Sequence, residues 1–186
     1  MKKKIDKKDI ICIIIARAGS KGLKNKNLRK LNDMPLISYP ILYAKKSRTI
    51  GTILVSTDST KIARVAKKYG AEVPFLRPKK YSTDNATTES ALKHALLTYE
   101  KITKKKFKVC VFLTTTDIFR SIGLIKKCID TLIKNPNLES VFAGSKTHKN
   151  YWEIKGNKFQ RLKKWMKYYK SRQIKKNIFR EDTGII

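Results

Sequence analysis

A chain of 186 residues is the size of one domain, and folding at this length removes roughly two-thirds of the surface that the unfolded chain exposes, so a core without a cofactor is feasible. No run of about 18 apolar residues is present to cross a bilayer, and the basic start Met1 to Lys4 is followed at once by Asp6, Lys7, Lys8 and Asp9, so the expectation is a soluble, cytoplasmic protein with no membrane partner. The three cysteines, Cys12, Cys110 and Cys128, stand alone in apolar runs, which argues against a zinc site or a disulfide framework.

The balance of 44 Lys+Arg over 14 Asp+Glu gives a net charge of +30. Most of the excess is lysine pairs spread along the whole length, which reads first as solvated surface, second as attraction for anionic substrates such as nucleoside triphosphates, and last as a nucleic-acid surface. The best segment for that last reading sets Trp165, Tyr168 and Tyr169 among Lys163, Lys164, Lys167 and Lys170.

In chain order, residues 10–16 are continuously aliphatic, as in a central strand buried on both faces. A loop with Gly19 and Gly22 follows, and Pro35 suits the first position of a helix whose Leu36, Ile37, Pro40, Ile41 and Ala44 recur near helical spacing. A strand over 52–56 leads to a helix capped by Asp58 or Ser59 and stopped by Gly70. The pattern then predicts a short strand over 72–76, a polar loop over 79–85, a helix over 87–102, a strand over 107–113, a helix over 122–134 and a strand over 140–143. This βα alternation indicates a mostly parallel sheet. Beyond residue 146 it gives way to a hairpin around Lys155-Gly156-Asn157 and a further strand over 178–186.

Ligands of open α/β sheets bind beyond the carboxyl ends of the strands. After the first strand stands Arg17-Ala18-Gly19-Ser20-Lys21-Gly22-Leu23-Lys24-Asn25-Lys26-Asn27. Its glycines would let backbone N–H groups approach a phosphate, and Arg17, Lys21 and Lys26 would neutralise a triphosphate and the departing pyrophosphate. The spacing fits neither a Walker loop nor a dinucleotide fingerprint.

This loop resembles the A-R-x-x-S-K-G signature of the acylneuraminate cytidylyltransferases, or CMP-sialic acid synthetases, and the resemblance continues in Val55-Ser56-Thr57-Asp58, in residues 69–73, in Leu76-Arg77-Pro78 and in Thr83-Asp84-Asn85-Ala86-Thr87-Thr88. It implies a three-layer, Rossmann-like nucleotide-diphospho-sugar transferase fold of the α/β class, with a regular core over 10–145 and an irregular β-rich segment over 146–186 within a single domain. It also implies transfer of CMP from CTP to an acidic nine-carbon sugar, by attack of the anomeric hydroxyl on the α-phosphate, with Mg2+ or another divalent cation. Arg17, Ser20, Lys21, Lys26 and Asn27 would hold the triphosphate, with Lys21 as the main electrostatic catalyst, assisted by Arg17. Arg77, Ala86 and Thr88 would surround cytosine and ribose. Lys149 would approach the sugar carboxylate, and Arg172 and Arg180 the sugar or the phosphates. A homodimer is implied, with Tyr151, Trp152 and Trp165 as interface anchors.

The sequence departs from the family pattern in two places. Where the family has a glutamine followed by P-T-S-P-L-R, this chain has Thr114-Thr115-Thr116-Asp117-Ile118-Phe119-Arg120. Thr114 thus takes the sugar-binding glutamine's position without its amide donor, and Asp117 reads as a helix N-cap in preference to a metal ligand. The family's C-terminal aspartate pair, which binds the metal, has no counterpart before Ile186, so the metal ligands stay unassigned and the motifs also suit a shortened, non-catalytic homologue. They equally suit a legionaminic or pseudaminic acid as the acceptor sugar. A basic nucleic-acid-binding protein is the more remote reading.

Overall fold

Six consecutive apolar residues form strand β1 (Ile10–Ile15), and every second side chain goes to the opposite face. In the computed structural model, which describes residues 5–20, 22–121, 123–147, 152–161 and 178–185, β1 is the middle strand of a three-stranded parallel sheet. Its neighbours are β4 (Thr52–Ser56) and β5 (Val109–Leu113), in the order β4-β1-β5. The register sets Ile15 beside Ser56 and Ile14 beside Leu113, so the three carboxyl ends finish abreast.

Between these strands the chain makes a small hairpin of two two-residue strands, β2 (Lys30–Leu31) and β3 (Met34–Pro35), and then helix α1 (Ser38–Lys46). Helix α2 (Thr60–Lys68) follows β4, and α3 (Thr88–Thr103) precedes β5. After β5 come α4 (Leu124–Lys134), β6 (Phe142–Thr147), β7 (Trp152–Lys155), β8 (Lys158–Arg161) and β9 (Ile178–Ile185).

Ile10, Cys12 and Ile14 of β1 pack with Ile41 and Ala44 of α1, Ile62 and Ala66 of α2, and Ile125 and Ile129 of α4. Ile11 and Ile13 meet Ala95 and Tyr99 of α3 on the other face. The result is three layers, with each buried isoleucine of β1 contributing about 1.5–3 kcal/mol. Tyr99 is fully buried and its hydroxyl donates to Glu72 Oε2 at 2.6 Å. Burial and that carboxylate push its pKa up to about 12.

The chain divides into two compact units, one of residues 1–143 with 183–186 and one of residues 144–182. The second contains the hairpin of β7 and β8, in which Lys155 pairs with Lys158 across a two-residue turn and Gly156 has φ +60°, as the Lys155-Gly156-Asn157 reading predicts.

Several local expectations are corrected. Pro35 ends β3 instead of opening a helix, because Asn32 and Asp33 both take the left-handed conformation and turn the chain back on itself. Helix α1 starts three residues later, with Pro40 in its first turn. The strand expected over 72–76 is a single bridge between Leu54 and Glu72. The strand expected over 140–143 runs instead from Phe142 to Thr147. Asp117 caps no helix: α4 is preceded by Gly123 at φ +90°, and the Asp117 carboxylate accepts from Arg120 Nε at 2.7 Å.

The packing around two glycines and one carboxylate can be tested directly. A Cβ at Gly51 would overlap the Lys7 carbonyl oxygen, a backbone atom, whereas at Gly70 (φ +90°) it would meet only the flexible Lys45 ammonium. Gly51→Ala is therefore expected to cost about 1–3 kcal/mol and Gly70→Ala roughly 1–2 kcal/mol, both read from denaturant midpoints. Glu100, in the last turn of α3, accepts from Lys106 Nζ at 2.6 Å and from the Phe107 N–H at 3.2 Å, and the Lys106 hydrogen bond leads in holding its pKa below the ordinary glutamate value. That contribution is present above the ordinary value and lost as pH falls through the folded one. Glu100→Gln should lower the thermal midpoint at neutral pH and shrink its drop on acidification below about pH 4.

Candidate active site

Because β1 is apolar on both faces, the first polar side chain in line with it is Arg17, just past its carboxyl end. A cleft of about 580 Å3 opens at this edge of the sheet. It is lined from the β1 side by Arg17, Ser20, Gly22, Lys26 and Asn27, from the segment after β4 by Arg77, Tyr81, Asp84, Ala86 and Thr88, and from the end of β5 by Thr114, Thr115 and Thr116. A Cβ at Gly19 or Gly22 would meet no heavy atom within 4 Å. Packing therefore does not demand these glycines, and open space lies over that loop.

The loop is pinned from both sides. On the β4 side the Ala18 N–H donates to Asp58 Oδ1 at 2.8 Å. On the β5 side Asn27, 4% exposed, donates from Nδ2 to the Arg17 carbonyl at 2.8 Å and accepts on Oδ1 from the Thr115 hydroxyl, also at 2.8 Å. The Asn27 carbonyl in turn accepts from the Ile37 N–H, which ties the loop to the start of α1.

Arg77 is 3% exposed, a costly place for a guanidinium. Its Nε donates to Ser82 Oγ at 2.9 Å, whereas Nη1 is buried with no hydrogen-bond partner among the described residues. Burial pulls its pKa below the ordinary arginine value, Asp58 opposes this and Arg17 adds to it. Beneath the same segment His94 of α3 stacks on Tyr81, with ring centroids 4.4 Å apart, and burial together with Arg77 and Lys80 holds its pKa down. The His94 ring thus supports a cleft wall that carries Arg77 and Lys80 nearby. Arg17 itself is engaged: Nη2 lies 2.8 Å from Asp84 Oδ1, in a pair that is partly exposed.

Of the residues singled out by sequence, Arg17, Ser20, Lys26, Asn27, Arg77, Ala86, Thr88 and Thr114 come together in the cleft. Lys21, Lys149 and Arg172 lie outside the described residues, as do Tyr151 and Trp165. Arg180 and Trp152 belong to β9 and β7, and their side chains are also outside the description. Sequence reasoning passed over Asp58, Tyr81, Asp84, Thr115 and Thr116 as site residues. Their signal was position: each follows a strand end or sits in the polar loop after β4.

The carboxylates beside the cleft are engaged within the protein. No group of three His, Cys, Asp or Glu side chains that could hold one occurs among the described residues, and Asp84 and Asp58 face Arg17 and the Ala18 N–H. What the arrangement offers chemically is an open cleft whose wall carries the cationic side chains of Arg17, Lys26 and Arg77, suited to an anion.

Compared with known proteins, residues 11–184 match the family model described as cytidylyltransferase. The chain belongs to this cytidylyltransferase family. It is 42% identical over 129 residues to post-translational flagellin modification protein B of Campylobacter coli, covering 69% of this chain and 55% of that protein. It is 44% identical over 110 residues to a CMP-N,N'-diacetyllegionaminic acid synthase of Campylobacter jejuni (59% and 45%) and 46% identical over 90 residues to an N-acylneuraminate cytidylyltransferase of Escherichia coli (48% and 21%). The chain thus spans about half the length of the first two and a fifth of the third.

Among solved structures, CMP:2-keto-3-deoxy-manno-octonic acid synthetase complexed with CTP superposes with a TM-score of 0.70 at 14% identity, over 95% of this chain and 72% of that one. A 4-diphosphocytidyl-2C-methyl-D-erythritol synthase gives 0.64 at 8% identity, over 86% and 69%. At such identities the likeness is one of fold, and it bears out the Rossmann-like α/β architecture.

The ion pair of this cytidylyltransferase family member makes a direct prediction. Asp84 competes with any anion for Arg17, and a partly exposed pair is worth about 0.2–1 kcal/mol. Asp84→Asn should therefore tighten the binding of inorganic pyrophosphate by up to about fivefold in calorimetry, with the gain fading as salt is raised.

Proposed function

We propose that this chain transfers a cytidylyl group from CTP to a sialic-acid-like nonulosonic acid and releases pyrophosphate. The observation that carries the reading is the buried, incompletely partnered Arg77 in a cleft that also gathers Arg17, Lys26 and Asn27. A guanidinium retained there at a desolvation cost calls for an oxygen-rich ligand to complete it. The relatives named for legionaminic and acylneuraminic acids supply the acceptor class, and pseudaminic acid cytidylyltransferases of Campylobacter jejuni, 34% and 33% identical over 125 residues, add a third acid sugar.

In this reading Arg17, Ser20, Lys21, Lys26 and Asn27 receive the triphosphate, and Arg77, Ala86 and Thr88 receive the nucleoside. The sugar's anomeric hydroxyl attacks the α-phosphorus in line, a P–O bond forms to the sugar oxygen, and the bond to the β-phosphate oxygen breaks. Charge on the departing pyrophosphate is offset by Arg17, Lys21 and Lys26, so the protein contributes position and electrostatics. A divalent cation would accompany CTP as the counter-ion of its phosphates. Thr114 takes the sugar side of the cleft, with Lys149, Arg172 and Arg180 as further sugar or phosphate contacts. The reading extends to a homodimer and to the cytoplasm, where CTP is at hand.

The test is pyrophosphate release from CTP with N-acetylneuraminic, legionaminic or pseudaminic acid in turn. Release that requires both CTP and one of the sugars supports the reading, and CTP that neither binds nor reacts overturns it. Lys21→Ala should abolish most of the turnover. Arg77→Lys keeps the charge but loses the guanidinium's planar fork, and should lower kcat/KM for CTP by about tenfold or more.

A further inference from the structure

Thr115 stands where the resembled family motif has proline, which has no hydroxyl to donate, so its hydrogen bond to Asn27 is not part of that pattern. Both side chains are 4% exposed, and the bond joins the end of β5 to the loop after β1 across 88 residues of sequence.

The direction of each hydrogen bond gives this contact its meaning. The Asn27 amide has two N–H donors and one carbonyl oxygen. The Arg17 carbonyl can only accept, so Nδ2 must face it, and Oδ1 must then face the Thr115 hydroxyl. With the amide locked in this sense, its second N–H is left for a group in the cleft that Asn27 lines. The same lock holds the Arg17 main chain, and thereby the root of the cationic side chain that precedes the glycines.

We propose that Thr115 is a positioning residue for this site: its hydroxyl orients the Asn27 amide, and through it the Arg17 backbone, toward the phosphates of the nucleotide. The proposal rests on the cytidylyltransferase reading for the identity of the ligand, and on the hydrogen-bond geometry alone for the orientation. Thr115→Val removes the hydroxyl at nearly constant shape, leaving Oδ1 buried without its donor. Thr115→Ser restores the donor.

Two measurements test it. In steady-state kinetics, at a temperature where circular dichroism shows all variants folded, Thr115→Val should lose about tenfold or more in kcat/KM for CTP, and Thr115→Ser should stay near the wild type. In the Asn27→Ala background, Thr115→Val should cost little more, because its effect passes through Asn27. Full activity in Thr115→Val, no rescue by serine, or an undiminished loss in the Asn27→Ala background would each overturn the proposal. The second measurement is independent of turnover: the Asn27 side-chain NH2 signals should be resolved and slow to exchange in the wild type and Thr115→Ser, and exchange faster in Thr115→Val. A wild type that neither binds nor turns over CTP would sink the cytidylyltransferase reading, while the NH2 exchange would still decide the role of Thr115; unchanged exchange in Thr115→Val would sink that role.

Discussion

Strand β1 has helices packed on both its faces, and this single constraint arranges the rest of the molecule. A strand so placed cannot carry a polar side chain along its length without desolvating it. Ile10 through Ile15 comply, and the first charged group, Arg17, appears only where the strand leaves the sheet. Because β4 and β5 run parallel to β1 and end level with it, the polar segments that follow them start at the same edge. The cleft is therefore a consequence of parallel register: three runs of chain, distant in sequence, have nowhere else to put their polar ends.

Convergence of this kind creates an electrostatic problem that the local structure answers residue by residue. Burial depresses the Arg77 pKa, Asp58 works against that effect and Arg17 adds to it. Asp58 serves a second purpose in holding the Ala18 N–H, so one carboxylate both moderates the charge and fixes the loop. Asp84 covers Arg17 from the loop after β4. A cleft with these cations and no carboxylate near them would be destabilised by self-repulsion, and the two aspartates relieve it without filling the space. Asn27 provides the neutral counterpart: it joins Arg17, Thr115 and Ile37 by hydrogen bonds alone, with no change in net charge.

The central strand, the crossover helices and the polar exit of β1 were legible in the sequence, because aliphatic runs and polar strand exits follow from solvation, which acts locally, whereas Arg77, Ala86, Thr88 and Thr114 were singled out only through the family resemblance. The features that stayed hidden are set by longer-range or finer effects. Pro35 suits the start of a helix as well as the end of a strand, and only the positive φ of Asn32 and Asp33, a pair that other turns also use, decides for the hairpin. Residues 72–76 have the composition of a strand, yet after Glu72 bridges Leu54 the chain leaves the sheet; Thr57 and Arg77 are next linked main chain to main chain. Asp117 had the right chemistry for a cap but lay too far ahead of α4, and a neighbouring arginine at i+3 took its carboxylate. The partnership of Thr115 with Asn27 had no local sign at all, since neither residue type nor spacing reveals which strand ends will be neighbours.

The run Thr114-Thr115-Thr116 departs from the resembled family motif at the end of β5. Replacing a long amide and a proline by two hydroxyl residues shortens the reach into the cleft and adds a hydrogen-bond donor to its wall. Thr114 lacks the amide that the resembled motif carries at its position, whereas Thr115 donates to Asn27 in the loop after β1. In the proposed function one position lies on the acceptor side and the other on the nucleotide side, although they are adjacent in the chain. The triplet therefore sets one strand exit against the cleft and, through Asn27, against the loop after β1, two places that are otherwise built from separate strand exits.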